Sequence, residues 1–436
     1  MNLQRTGFLA AIVLLGGCAI APAEKRHTPE EIARYTSADF AAPIASATGE
    51  REEWEDGTRK IAAALALGSA EDTNNLVPDA LWAVSFFNRD LDAGRTILLN
   101  ALPRLVAQPA AYQRSILSSA HQLYFNEAAP LVRNLLADIA TPREFAIAAY
   151  ALLRARDDTE TRAFIRDRLL TRFPEHAQEA RLIALMDRLT TEPREHHAKR
   201  PPLNDLFAAP VRAGTPVIFS VQRPGRNVFG LALVRAADGK FVRNADGTLF
   251  SQPMLARATT ELPGTITNGN TPRGVFTIVG AGTATNKWIG PTPYLHSMIP
   301  IEGRVADFEH TDTNDEWTEA RYASFLPPSW RDYFPMKEAW LAGRAGRDDM
   351  IIHGTTISSH YYTGASYFPG TPSAGCLVSM ETWSKADGKQ MSSDQLTLVK
   401  AFTRDGIDRG YLVVVEIDEG QTPVSLADVL PHLPLQ

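Results

Sequence analysis

Cysteine is nearly missing from these 436 residues. There are two, Cys18 and Cys376, so the chain has no Cys cluster of the kind that marks a zinc site. Long apolar runs are missing too. The one near the start, Phe8 to Leu15, is too short to cross a bilayer, which takes about 20 residues. Neither charge dominates: 44 basic residues stand against 50 acidic ones, a net charge of −6, which argues against nucleic acid as a partner. The chain has no glycine-rich phosphate loop and no His-Glu-x-x-His. His196-His197 has no accompanying Cys or carboxylate at ligand spacing and reads as a pair of solvated histidines. The expected chemistry therefore uses no metal and no cofactor.

What is present begins with a targeting signal. Arg5 precedes the apolar run, and Gly16, Gly17 and Cys18 follow it, the layout of a secretory signal. Leu15-Gly16-Gly17-Cys18 resembles the lipobox of bacterial lipoproteins. That resemblance implies lipidation of Cys18, a lipid anchor in a membrane and, with Ala19 next, the outer membrane of a Gram-negative cell, facing the periplasm. Removing residues 1–18 leaves roughly 420 residues, enough for two domains.

Residues 28–192 read as helical. From Thr141 to Pro174, apolar residues recur at three- and four-residue spacing (Phe145, Ala148, Leu152; Phe164, Leu169, Leu170). Thr141, Pro142 and Glu144 supply a helix start, and Asp157-Asp158 divides two helices. A similar layout occurs about 32 residues earlier, so the expectation is an α-helical, solenoid-like array of hairpins. Its role would be to hold an envelope partner or to space a second domain from the membrane. Residues 193–204, with Pro193, Pro201 and Pro202, read as a linker.

After residue 205 the texture turns to β, with β-branched and aromatic runs broken by Asp-Gly turns at 238–239 and 246–247 and a last strong strand at 411–417. Residues 302–349 form a polar, aromatic-rich insertion carrying Trp317, Trp330, Tyr333, Phe334 and Trp340. These aromatics either stack on a ligand or pack a core of the insertion's own.

With Cys18 lipidated, Cys376 is alone in an oxidising compartment, where a leftover thiol is reactive or buried and inert. A reactive one needs a base, an oxyanion hole and an orienter for the base. Gly375 lets the backbone approach a substrate, and the N–H groups of Gly375 and Cys376 are natural oxyanion donors. His353 follows Met350-Ile351-Ile352 and should end a strand, with Gly354 turning the chain back. His360, in the loop between them, is a rival base on a less rigid platform. His296 is expected to be structural and His310 solvated.

His353-Gly354 followed by Ser373-x-Gly375-Cys376, with Thr271-Pro272-x-Gly274-x-Phe276-x-Ile278 and Pro293-Tyr294-Leu295-His296 upstream and a closing Val-rich strand, resembles the L,D-transpeptidase (YkuD-like) catalytic domain over residues 205–420. The resemblance implies a mostly-β, sandwich-like fold and a cysteine transpeptidase acting on peptidoglycan stem peptides. Cys376 would be the nucleophile and His353 the base, oriented by the carbonyl of Gly354 or Thr355. Ser373 would hydrogen-bond within the loop, and Thr271, Tyr294 and His360 would face the substrate. Two positions depart from the family pattern: Ala374 stands for its His and Val378 for its Arg or Asn. Transpeptidation, hydrolysis of the same linkage, and a peptidoglycan-binding scaffold of little activity all remain open at this point.

Overall fold

The structure, a computed structural model, describes residues 25–434. The expected signal sequence and Cys18 lie outside the described residues. The molecule is mixed α and β, with a helical N-terminal region and a large sheet. Among the described residues, no helix is long and apolar enough to cross a membrane.

The helical array starts at Ala47–Leu67 and continues through Leu76–Phe87, Leu91–Ala101, Ala110–Leu123, Phe125–Leu135, Pro142–Ala155, Thr159–Arg172 and Ala180–Thr190. Ala110–Leu123 and Pro142–Ala155 are the helices related by the 32-residue offset, and they pack against each other. Asp158 caps the helix after the Asp-Asp break, accepting a hydrogen bond from Thr161 N at 2.8 Å. Thr141 begins its helix without a side-chain cap. Glu144 is not free to reach back, because it turns inward to Arg114 at 2.9 Å.

Among the described residues, eleven strands follow the chain in order: β1 Arg26–His27, β2 Val217–Gln222, β3 Gly230–Arg235, β4 Ser251–Met254, β5 Gly274–Gly282, β6 Tyr294–Met298, β7 Ile351–His353, β8 Leu377–Val378, β9 Glu381–Trp383, β10 Gln390–Ser393 and β11 Gly410–Glu416. Hydrogen bonding runs β4-β3-β2-β11-β5-β6-β7-β8, with β1 added to β5 and β9-β10 as a separate pair. This is one continuous path, where the sequence resemblance implied a sandwich. The last strong strand lies in its middle, parallel to β2 with Tyr411 opposite Val217 and antiparallel to β5. β2 and β3 are buried at every residue, as strands covered on both faces are.

Helices complete the cover. The 302–349 insertion contributes Val305–Glu309, Glu319–Ala323 and Glu338–Arg344. Trp330, Tyr322, Phe308 and Trp340 are buried in the sheet's own core, not in a separate one. Apolar rings removed from water account for that segment's order.

Two boundaries move. Residues 25–46 belong with the sheet: β1 joins β5, and Phe40, Ala42 and Ala45 pack against Trp383 and Leu396. The expected linker is folded, with helices at Pro193–Ala198 and Leu203–Ala208, and Leu203, Leu206 and Phe207 enter the main core. Its histidines are not solvated. His196 Nε2 lies 3.0 Å from Asp187 and His197 Nε2 lies 3.9 Å from Glu416.

The helical array packs directly against the β half. Leu262, Ile266 and Trp288 of the β half are buried in the array's core. Tyr362 OH donates to Phe86 O at 2.9 Å, Arg154 meets Glu261 at 2.9 Å, and the Phe86 and Trp288 rings are 4.5 Å apart.

Candidate active site

His353 ends β7, and its ring is fixed from its own neighbour: Nδ1 donates to the carbonyl of Gly354. The tautomer inferred from that bond leaves a lone pair on Nε2. Nε2 is buried and meets no hydrogen-bond partner among the described residues. Burial pushes the imidazole pKa down to about 4, against the opposing effect of the Gly354 bond, so the ring is neutral near pH 7.

Gly354 is glycine for a steric reason. A Cβ there would lie 2.1 Å from the carboxyl carbon of Glu381. No motif or spacing in the sequence singles out Glu381. It accepts hydrogen bonds from Thr355 N at 3.1 Å, Gln390 Nε2 at 3.0 Å and Ser393 Oγ at 2.6 Å. Burial outweighs these donors and raises its pKa to about 7.

Cys376 immediately precedes β8. The parallel register sets Ile352 opposite Leu377 and His353 opposite Val378. Strand alternation then puts Ile351, His353, Cys376 and Val378 on one face. Cys376 is 1% exposed and packs with Ile289, Tyr294 and Ile351. Its Sγ lies 3.8 Å from the Asp349 carbonyl oxygen, and no hydrogen bond joins it to Nε2. It borders a small cavity, and His353 lines a larger one of about 200 Å³. Thr267, Asn268 and Ala374 border both, so thiol and imidazole face adjoining spaces across the Ala374 turn.

The turn itself is clamped. Ser373 Oγ accepts from Gly375 N at 2.9 Å and donates to Cys376 O at 2.9 Å. Thr271 Oγ1 donates to Gly375 O at 2.9 Å. Gly375 adopts φ +115°, and a Cβ there would lie 2.0 Å from Arg347 Nη2. The buried Arg347 guanidinium donates to the carbonyls of Gly264, Gly269 (2.6 Å) and Asn270 (2.9 Å) and reaches Gly375 O at 3.5 Å.

The expected site residues divide accordingly. His353, Gly354, Ser373, Gly375 and Cys376 come together. Gly375 N–H is not a ready oxyanion donor here, because Ser373 Oγ holds it. Thr271 is buried and braces the loop, and Tyr294 packs with Cys376; neither lines either of these two cavities. His360 is exposed on the Ser359–Tyr362 turn and borders neither cavity. His310 is not solvated but held by Thr277 Oγ1 at 2.9 Å and Gly410 O at 3.3 Å. The insertion's aromatics do not reach the site, whereas its last residues, Arg347 to Asp349, form a wall of the thiol's cavity. Their only sequence signal was their place just before the strand carrying His353.

The larger cavity has a second wall the sequence did not foretell. Helices Leu76–Phe87, Ala110–Leu123 and Pro142–Ala155 contribute Trp82, Phe86, Gln122, Arg114 and Arg143 to it.

No family model matches the chain, and comparison with curated proteins and with solved structures returns no match.

Proposed function

We propose that the chain is a cysteine acyltransferase of the L,D-transpeptidase kind, acting on peptidoglycan stem peptides. The observation that supports this reading most is His353: its Nδ1 is tied to Gly354, and its Nε2 lone pair is buried without a partner on the strand face that carries Cys376. A buried acceptor left unsatisfied costs about 1–3 kcal/mol, and a thiol proton is a natural occupant.

In the proposed step, rotation of the Cys376 side chain away from Asp349 brings Sγ to Nε2. The thiol proton passes to Nε2, and sulfur adds to the carbonyl of the third stem residue. The C–N bond to the terminal D-Ala breaks, and the amine leaves with the proton from Nε2. A neighbouring amine then takes the acyl group from the thioester, returning a proton through His353. Water in its place gives hydrolysis. During addition, Gly375 N–H reaches the oxyanion by exchanging Ser373 Oγ for it.

One observation favours a second reading, a wall-binding module without turnover: the thiol is almost wholly buried. Incubating the mature chain with a tetrapeptide ending in D-Ala separates the two. Release of D-Ala by the wild type and none by Cys376→Ala supports the transferase. No release by either overturns it.

A further inference from the structure

The half of the molecule that carries no nucleophile builds one wall of the cavity in front of His353. That wall has a consistent chemistry. Arg143, second residue of the helix Pro142–Ala155, is half-buried there, and no hydrogen bond or close ion pair reaches its guanidinium among the described residues. Glu144 and Glu179 attract it only at longer range, and Arg114 and Arg181 repel it. Every neighbouring cation has its own anchor: Arg114 holds Glu144 at 2.9 Å, and Arg181 holds Glu179 at 2.8 Å. Gln122 adds two N–H donors, since its Oε1 is occupied by Ser85 Oγ at 2.7 Å. Among the described residues, no Asp or Glu lines this cavity.

A guanidinium held partly out of water without a counter-ion, ringed by donors and facing no carboxylate, is complementary to an anion. We propose that Arg143, in a cavity also lined by Arg114 and Gln122, is a specificity anchor for a free carboxylate on the acyl-donor peptide. The substrate class rests on the transferase reading above. The helical half then selects the donor, and the sheet half acylates it. Arg143 is a binding residue in this scheme and takes no part in the proton transfers at Cys376.

The test measures binding by calorimetry on the mature full chain, using a synthetic tetrapeptide ending in D-Ala and the same peptide with all its carboxylates amidated. Wild type is expected to bind the free-carboxylate peptide about 10- to 100-fold more tightly than the amidated one. R143Q is expected to lose that preference, with unchanged affinity for the amidated peptide, and Arg143→Lys to keep part of it. Equal binding of both peptides by wild type, no binding of either, or a preference that survives in R143Q overturns the anchor. D-Ala release is read in the same samples. Release without a carboxylate preference overturns the anchor alone, and a preference without release overturns the transferase reading alone.

Discussion

At the residue scale, the site depends on two buried titratable groups at either end of Gly354-Thr355. His353 is neutral because burial disfavours its cation, and a neutral ring is the form that can accept a thiol proton. Replacing it by Gln should slow acylation of Cys376 by about 10²- to 10⁴-fold, the usual worth of a positioned base. The rate of adduct formation by mass, compared at equal circular dichroism, checks it; an unchanged rate would remove His353 from the chemistry. Glu381 carries the opposite shift, and its sign can be worked through. Its folded pKa of about 7 stands above the ordinary 4.5, so both states are protonated below pH 4.5 and its stabilisation is complete there. Between pH 4.5 and 7 the unfolded chain releases a proton that the folded one keeps, and stability is lost as pH rises. Urea unfolding of wild type and Glu381→Gln across that window should diverge in favour of the variant, by at most about 3 kcal/mol. Parallel curves would contradict a protonated Glu381.

At the element scale, the Ser373–Cys376 turn keeps its shape through bonds from outside itself. Arg347 reaches carbonyls in the 264–270 loop and at Gly375. Arg347→Met leaves several buried carbonyls unsatisfied and should cost about 3 kcal/mol or more, and denaturant unfolding reads it directly. The loosened turn should also make Cys376 label faster with iodoacetamide in the folded state. A stable variant with unchanged labelling would show that the clamp is dispensable. This contact was illegible in the sequence, because a lone Arg in a polar insertion gives no periodic signal and its partners are backbone atoms. By contrast, His353 at a strand end was legible from the apolar residues before it, and the Ala110–Leu123 and Pro142–Ala155 helices from their 3.6-residue spacing and common layout. Thr141 and Pro142 marked the helix start correctly, but no capping bond forms there, since Glu144 found a cation in the neighbouring helix.

At the scale of the whole molecule, the sequence divided cleanly into helical and β texture, but texture says nothing about which faces dock. Composition marked 193–204 as a linker, although Leu203, Leu206 and Phe207 carried enough apolar surface to enter the core. The docking makes the halves interdependent: Leu262, Ile266 and Trp288 would be stripped bare by removing the helices. A chain beginning at residue 200 should therefore be insoluble or molten, with dye-binding apolar surface and no cooperative melt. A soluble, cooperatively melting fragment would mean that the array is an accessory. Whether Cys376 is an acyl-accepting nucleophile served by His353 is read by intact-protein mass after exposure to a carbapenem, whose strained lactam acylates an activated thiol. A single covalent adduct is expected on the wild-type chain and none on Cys376→Ala. An unmodified wild-type mass at saturating carbapenem would contradict that role.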